Sequence, residues 1–431
     1  MKYLLISHNA FSNNNANGRV LSSLFSEIEE KNIAQLFIQS ETPTTRFNAS
    51  FYRITDGDRL YGFFKGTAGT ELSSAFFSNN SFQTNEKNLV KKSSFRTSSI
   101  AALIRQFVWK KGKIDYKPLY KWIEDFKPNV IVFQSGRTPF LCDLVKMISL
   151  DFDLPVIIFS TEDEYFHPKK PLNIFHNWHL SILKKAYRSL SERVICQILI
   201  QDELREMYRA EFKKPSYTIM MGSSLEENRN IYQKNNSAMR FLYAGNIDRG
   251  RHKQILEIAN SLGKISNNVF KLEVIPSGVT NRIISKLRKN CHIVLKQYLP
   301  FSKYVQELQT SDVLFFVDSF SNKYKNIIKE TFTGKTADYL STGNVIYVYS
   351  PEYVYTTKYF KSNPGTAIVA TNKSELNITL EKLINGEYNL TELRNNCIKL
   401  FLKNHDNKTN AIKFKNIVEE AVNGNEKNPS N

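Results

Sequence analysis

Two acids, Glu330 and Asp338, stand eight residues apart in the stretch ETFTGKTADYLSTG, which ends at Gly343. Between them lie small residues, one glycine and one lysine: Thr333, Gly334, Lys335 and Thr336. From Lys335 onward the pattern is helical, and Gly343 stops it before the apolar run Val345–Tyr349. The stretch therefore reads as loop, helix N-terminus, short helix, glycine stop and buried strand. A helix N-terminus presents unpaired N–H groups and a partial positive charge, and Lys335 adds a full one, a combination that suits a phosphate or diphosphate. Asp338, one turn in, is placed to accept from sugar hydroxyls. The same residues also suit a capped helix packed under a sheet, with its charges at the surface.

A second stretch has matching chemistry. The strand-like FLYA runs into Gly245, Asn246, Ile247, Asp248, Arg249, Gly250, Arg251, His252 and Lys253, and a helix follows with Ile255, Leu256, Ala259 and Leu262 on one face. Two glycines permit close backbone approach, and Arg249, Arg251 and Lys253 supply fixed cations, as a phosphate-binding loop requires. A structural turn with surface charge is the other reading.

The elements that carry these residues alternate as strand and helix. The chain opens with strand Tyr3–Ile6, a polar loop, Gly18 at the start of a helix with Leu21 and Leu24 inward, and strand Ala34–Ile38. Residues 42–112 read as irregular. Their later part, Lys87–Lys113, interleaves Lys87, Lys91, Lys92, Arg96, Arg105, Lys110 and Lys111 with Phe95, Ile100, Ile104, Phe107 and Trp109. That pattern fits an anionic bilayer surface, a solvated helix face or a nucleic-acid patch. No nucleic-acid-binding motif accompanies it. Helices and strands then resume, and strand Val156–Phe159 is followed by Thr161, Glu162, Asp163 and Glu164. Ligands of open α/β sheets sit beyond the carboxyl ends of strands, which places this acidic cluster well. Glu162 and Asp163 are the candidate catalytic acids here, as Glu330 is in the later half.

These elements divide the chain into residues 1–222, an Asn-rich charged linker at 223–238, residues 239–404, a C-terminal helix at 405–422 packing back toward the first domain, and a disordered tail at 423–431. At 431 residues two domains are expected. The composition, 41% apolar and 23% charged, is that of a globular protein. With 59 basic and 41 acidic residues the net charge is +18, which favours an anionic partner. Cys142, Cys196, Cys291 and Cys397 are scattered without a CxxC pair and read as reduced core residues, not a metal site or disulfide framework. The N-terminal apolar run is too short for a signal peptide, and no run approaches a bilayer span, so a cytoplasmic protein is expected.

Two α/β halves, each opening with strand, glycine loop and helix, resemble the GT-B glycosyltransferases. YAGNIDRGRHKQILEIANSL is similar to the phosphate-binding opening of the C-terminal domain in family 4-like enzymes of bacterial polysaccharide assembly. Glu330 and Asp338 match the spacing of that family's E-x7-E signature, with Asp in the second place. DYLSTGNVIYV resembles its segment of acid, aromatic and small residues, glycine and strand. The resemblance implies an α/β fold of two Rossmann-like domains facing across a cleft. It further implies a retaining hexosyl transfer from a nucleoside-diphosphate sugar to a saccharide or polyprenyl-diphosphate-linked acceptor, with no cofactor and no metal ion. It places Gly245, Asn246, Arg249, Arg251 and Lys253 on one side of the diphosphate, and Thr333, Gly334 and Lys335 on the other. Asp338 would hold the ribose, Glu330 would face the transferred sugar, and Gly18 would approach the distal phosphate. The expected setting is the inner face of the cell membrane, with no nucleic-acid partner. Two departures stand out: Glu162 occupies the place of a family histidine, and Thr331-Phe332-Thr333 replaces Gly-Phe-Gly.

Other readings share some of these residues. A nucleotide-sugar epimerase of the same fold would keep the diphosphate site and need no membrane-associated acceptor. A glycoside hydrolase would use two of Glu162, Asp163 and Glu164, and the cationic loops would then have no purpose. A non-catalytic basic scaffold on membrane or nucleic acid would carry a degenerate pocket.

Overall fold

The computed structural model describes residues 1–64, 68–72, 99–170, 172–223, 225, 239–278, 281–297, 299–329, 332 and 334–427. The chain forms two compact units, one of Met1–Met220 with the residues from Asn410 onward, the other of Met221–Thr409.

In the first unit the apolar runs become strands β1 (Tyr3–Ser7), β2 (Ile33–Phe37), β3 (Ser50–Arg53), β4 (Thr70–Leu72), β5 (Val130–Gln134), β6 (Val156–Ser160), β7 (Val194–Leu199) and β8 (Ser216–Thr218). They lie in the order β4-β3-β2-β1-β5-β6-β7-β8. Neighbours are parallel except β3 and β4, which are antiparallel. β1, β2, β5 and β6 are buried along their whole length. Predominantly apolar runs of this kind are what a parallel sheet covered on both faces demands. The C-terminal helix Asn407–Lys427 adds to this unit. Phe414 packs on Phe25 at 5.0 Å, Lys413 donates to the Thr218 carbonyl at 2.7 Å, and Tyr3 donates to Glu419 at 3.1 Å.

The second unit holds β9 (Phe241–Asn246), β10 (Leu272–Ser277), β11 (Ile293–Leu295), β12 (Val313–Val317), β13 (Val345–Tyr349) and β14 (Ile368–Ala370). Their order is β11-β10-β9-β12-β13-β14, all parallel. From β9 the chain moves outward to β10 and β11, then returns to place β12 on the other side of β9. The carboxyl ends of β9 and β12 therefore flank a topological switch point, where open α/β sheets bind ligands. The first unit has its own switch point between β1 and β5.

The structure departs from the sequence reading in several places. Residues 42–112 are not irregular throughout, since they include β3, β4 and the helices Asp56–Tyr61 and Ser99–Lys111. Strands of three or four residues are too short to show a period, which hid them. The rest of the basic stretch, including Lys87, Lys91, Lys92 and Arg96, lies outside the described residues. The first helix begins at Ala16, not at Gly18, because Asn15 caps it by accepting the Gly18 N–H. A helix at Tyr355–Lys361 precedes β14, and the last helix runs on to Lys427, past the expected start of a disordered tail. Cys142, Cys196 and Cys397 are buried, but Cys291 is exposed. Among the described residues no helix is long and apolar enough to cross a membrane.

Candidate functional site

The helix Lys335–Thr342 brings its first residues to the carboxyl end of β9. Tyr339, one turn in, donates to the Ala244 carbonyl at 3.2 Å and packs on Phe316 of β12, so the helix is docked on both strands of the switch point. Gly343 ends it with φ +66°. Its N-cap is Gly334, which has no side chain to cap it. The first N–H groups of a helix have no partner within it, and such groups suit an anionic ligand.

Lys335 lies against the β9 backbone. A Cβ on Gly245 would sit 1.7 Å from Lys335 Nζ and 2.5 Å from its Cε. The glycine is required for its φ of +138°, and the space beside it is filled by the end of the lysine. Lys335 Nζ stands 5.3 Å from the ring centroid of Tyr243, and Tyr243 in turn donates to the Asn246 carbonyl at 2.5 Å. Burial, with Arg251 adding to it, pulls the Lys335 pKa down to about 8, against the opposing pull of Asp318 and Asp338. An ammonium held this way gains from any arriving anion.

The loop cations are not equivalent. Arg251 turns inward, where Nε and Nη2 reach Asp318 Oδ1 at 2.7 and 2.6 Å, and Nε also reaches the Val317 carbonyl at 3.1 Å. Asp318 is the first residue after β12, and burial raises its pKa while Arg251 opposes the rise. Arg249 and Lys253 are exposed at the start of the helix Arg251–Ile265. Arg249, at φ +52°, and Gly250, at +86°, make the turn into that helix, and Asn246 Oδ1 braces the loop by accepting the Asp248 N–H at 2.8 Å.

Asp338 is fixed from outside its helix. Ser223 Oγ donates to its Oδ1 at 2.9 Å, lies 3.2 Å from Ser341 Oγ, and accepts the Leu225 N–H at 3.0 Å. The segment carrying Ser223 is held by a neutral histidine. His405 Nδ1 donates to the Met221 carbonyl at 2.8 Å, which leaves Nε2 to accept from Tyr359 at 2.9 Å. Burial lowers the pKa of that ring to about 4.

The second unit thus brings together Gly245, Asn246, Arg251, Gly334, Lys335 and Asp338, with Arg249 and Lys253 at the rim. Glu330 and Thr333 lie outside the described residues. Asp318, Tyr243, Ser223 and His405 were not picked out from the sequence. For Asp318 a signal existed, an acid directly after a five-residue apolar run.

The remaining candidates lie in the first unit. Gly18 is buried in its helix, where a Cβ would meet Ser12 and the Ala10 carbonyl within 2.8 Å. Asp163 Oδ1 accepts the N–H groups of Tyr165 and Phe166 at 3.1 and 2.9 Å and so holds the turn after β6. Glu162 is exposed, 3.9 Å from Arg137. The buried acid of that cluster is Glu164, 3.1 Å from Arg137. Burial pushes its pKa up to about 7, with Arg137 opposing and Glu162 and Asp163 reinforcing the rise. At the first unit's switch point His8 Nε2 meets Thr138 Oγ1 at 2.7 Å, and a Cβ on Gly136 would lie 2.4 Å from the His8 ring. Among the described residues no group of three or more His, Cys, Asp or Glu is arranged to hold a metal ion.

No protein-family model matches the chain, and no curated protein matches it. Solved structures do match over nearly its whole length. A glycosyltransferase from Rickettsia africae superposes with a TM-score of 0.57 at 10% identity, covering 98% of this chain and 99% of the other. A UDP-forming α,α-trehalose-phosphate synthase from Burkholderia xenovorans, in complex with glucose-6-phosphate, gives 0.54 at 9% identity over 98% and 100%. HepE of Anabaena, in complex with UDP-glucose, gives 0.53 at 9% over 97% and 100%. At such identities the likeness is one of fold, and the fold of this chain is the two-Rossmann-domain GT-B architecture.

Proposed function

We propose that this chain is a glycosyltransferase that takes a sugar from a nucleoside-diphosphate donor and moves it to a saccharide or polyprenyl-diphosphate-linked acceptor in cell-surface polysaccharide synthesis. One observation carries the reading: a half-buried lysine at a helix N-terminus that begins on glycine, laid against Gly245 at the switch point of β9 and β12. Lys335 and the first N–H groups of its helix face the diphosphate, and Arg249 and Lys253 add charge from the rim. Arg251 is held in place by Asp318 and shapes the loop. Asp338, fixed by Ser223, receives the ribose hydroxyls. The departing diphosphate gains charge in the transition state, so preorganised cations and N–H dipoles stabilise it most there. Those cations support transfer without a divalent metal. Retention of anomeric configuration, hexosyl transfer and work at the cytoplasmic face of the membrane belong to the same proposal, through the resemblance of the two loop motifs. Glu330 remains the proposed contact of the transferred sugar. The fold shared with the UDP-glucose complex of HepE supports a nucleotide-sugar donor.

Thermal denaturation with UDP, GDP, ADP and CMP, each with and without EDTA, tests this directly. At a hundredfold excess over its dissociation constant the correct nucleotide adds about 2.7 kcal/mol of stability. The expected result is a rise with one nucleoside diphosphate that EDTA leaves in place. No rise with any nucleotide rejects the donor site, and loss of the rise with EDTA rejects metal independence.

A further inference from the structure

The helix Ser99–Lys111 has two unlike faces. On one, Trp109 is buried and stacked on Phe140 at 4.2 Å, and Gln106 accepts the Phe140 N–H at 2.8 Å. On the other, positions 100, 104, 107 and 111 present Ile100, Ile104, Phe107 and Lys111 to solvent, with Phe107 59% exposed. This spacing is a single helical stripe. The helix Ile174–Ser191 packs beside it and repeats the arrangement at positions 174, 178, 181 and 185. Its stripe runs Ile174, Trp178, Ser181, Lys185, with Ile174 78% and Trp178 56% exposed, while Leu183 and Tyr187 pack inward. On the other flank the helix Asp56–Tyr61 adjoins, Phe63 stacks on Phe107 at 6.3 Å, and Phe64 is 84% exposed. Single exposed apolar residues need no explanation, but large ones gathered on three adjoining helices mark an interaction surface.

The two longer helices carry charge of one sign. Residues 99–113 and 165–191 carry Lys110, Lys111, Lys169, Lys170 and Lys185 among their basic residues, and neither segment contains an Asp or Glu. The adjoining short helix carries two acids: Asp56 is taken up by Arg105 and Trp109 at 2.8 and 2.6 Å, and Asp58 closes that helix's own capping box, accepting the Thr55 N–H at 2.7 Å. Each stripe starts with bulky apolar or aromatic side chains and ends on a lysine.

We infer that these helices form a docking surface for an anionic lipid bilayer. The apolar stripes enter the boundary between headgroups and acyl chains, Trp178 sits at that boundary with its ring N–H toward water, and the lysines meet lipid phosphates. The inference deepens the proposed transfer to a lipid-linked acceptor and rests on that reading for its purpose, while its geometry stands on the first unit alone.

Trp109 and Trp122 are buried, so among the three tryptophans of the chain Trp178 reports on this surface. The full chain is mixed with phosphatidylcholine vesicles, with and without about a third of phosphatidylglycerol, at about 0.1 M salt, where the Debye length is about 10 Å. Co-sedimentation and tryptophan emission are read, and nucleoside diphosphate binding is measured in parallel. Phosphatidylglycerol vesicles are expected to sediment the protein and shift its emission to the blue. The variant carrying Ile104→Ser and Phe107→Ser, both at exposed positions, is expected to partition at least tenfold less with nucleotide binding and melting temperature unchanged. Absence of sedimentation, equal partition by the variant, or a wild-type dimer that the variant breaks apart without any vesicle binding overturns the inference. Nucleotide binding that persists in those cases leaves the transferase standing, whereas vesicle binding without nucleotide binding removes the transferase and keeps the surface.

Discussion

Lys335 Nζ occupies the space that any side chain on Gly245 would need, 1.7 Å from where its Cβ would be. The two residues are ninety positions apart in the sequence. Gly245→Ala brings two penalties, a strained φ at +138° and eviction of the lysine. The strain alone costs about 1–3 kcal/mol. The expected outcome is a lower melting temperature together with nucleoside diphosphate binding weakened roughly tenfold or more, read by thermal denaturation and calorimetry. Unchanged affinity in a folded variant means that Lys335 works equally well from another position.

The depressed pKa of Lys335 makes binding pH-dependent in a definite direction. Between about 8 and the ordinary lysine value near 10.4 the free site has lost its proton, and a bound diphosphate restores it. Binding at pH 9 is therefore accompanied by uptake of nearly one proton, measured by calorimetry in buffers of different ionisation enthalpy. Lys335→Met abolishes the uptake. In the absence of ligand the sign reverses for stability: the unfolded chain binds this proton more readily over the same window, so this group's contribution to stability rises with pH there.

Ser223 and Asp338 form the test of the ribose contact. The hydrogen bond from Ser223 to the carboxylate contributes about 1.5–3 kcal/mol when the acceptor is charged. Ser223→Ala should lower stability modestly and weaken ribonucleotide binding. Asp338→Ala should erase the preference for a ribonucleoside diphosphate over its 2′,3′-dideoxy analogue. A preference that survives in Asp338→Ala assigns the ribose to another residue.

His405 sets an acid limit on the second unit. The unfolded ring titrates near 6.5 and the folded ring at about 4, so the folded state binds fewer protons between them. Stability that is full above pH 6.5 is lost as the pH falls toward 4, about 3 kcal/mol in all for this group. Isotope-labelled histidine should show a neutral ring protonated on Nδ1 down to about pH 5, and His405→Gln should narrow the gap between urea midpoints at pH 7.5 and pH 5. A ring that titrates near 6.5 contradicts the buried network.

How much of this was legible in the sequence follows from range. FLYA, VLFFV and VIYVY are unbroken apolar runs bounded by glycine or polar residues, and all three form central strands. The loop at Gly245–Lys253 and the helix start at Lys335 were visible because glycine, cations and helix signals lie within a few residues. What was hidden depends on distant pairs. Arg251 read as a free cation, yet it is committed to Asp318, sixty-seven residues on. Ser223 lay in what read as linker, and its link to Asp338 spans 115 positions. Strands β3 and β4, at four and three residues, span no more than two periods and carry no pattern to read. The acids after β6 were found, but not that Glu164 alone is buried while Glu162 is exposed and Asp163 holds a turn.

Binding of a donor diphosphate by Lys335 and its helix N-terminus is the central proposal. Calorimetric titration of wild type and Lys335→Met, each with a nucleoside diphosphate and with the corresponding nucleoside, measures it directly. The predicted result is at least a tenfold loss for the diphosphate, about 1.4 kcal/mol, with the nucleoside little changed. Equal losses for both ligands, or no heat from any nucleoside diphosphate with wild type, contradict it.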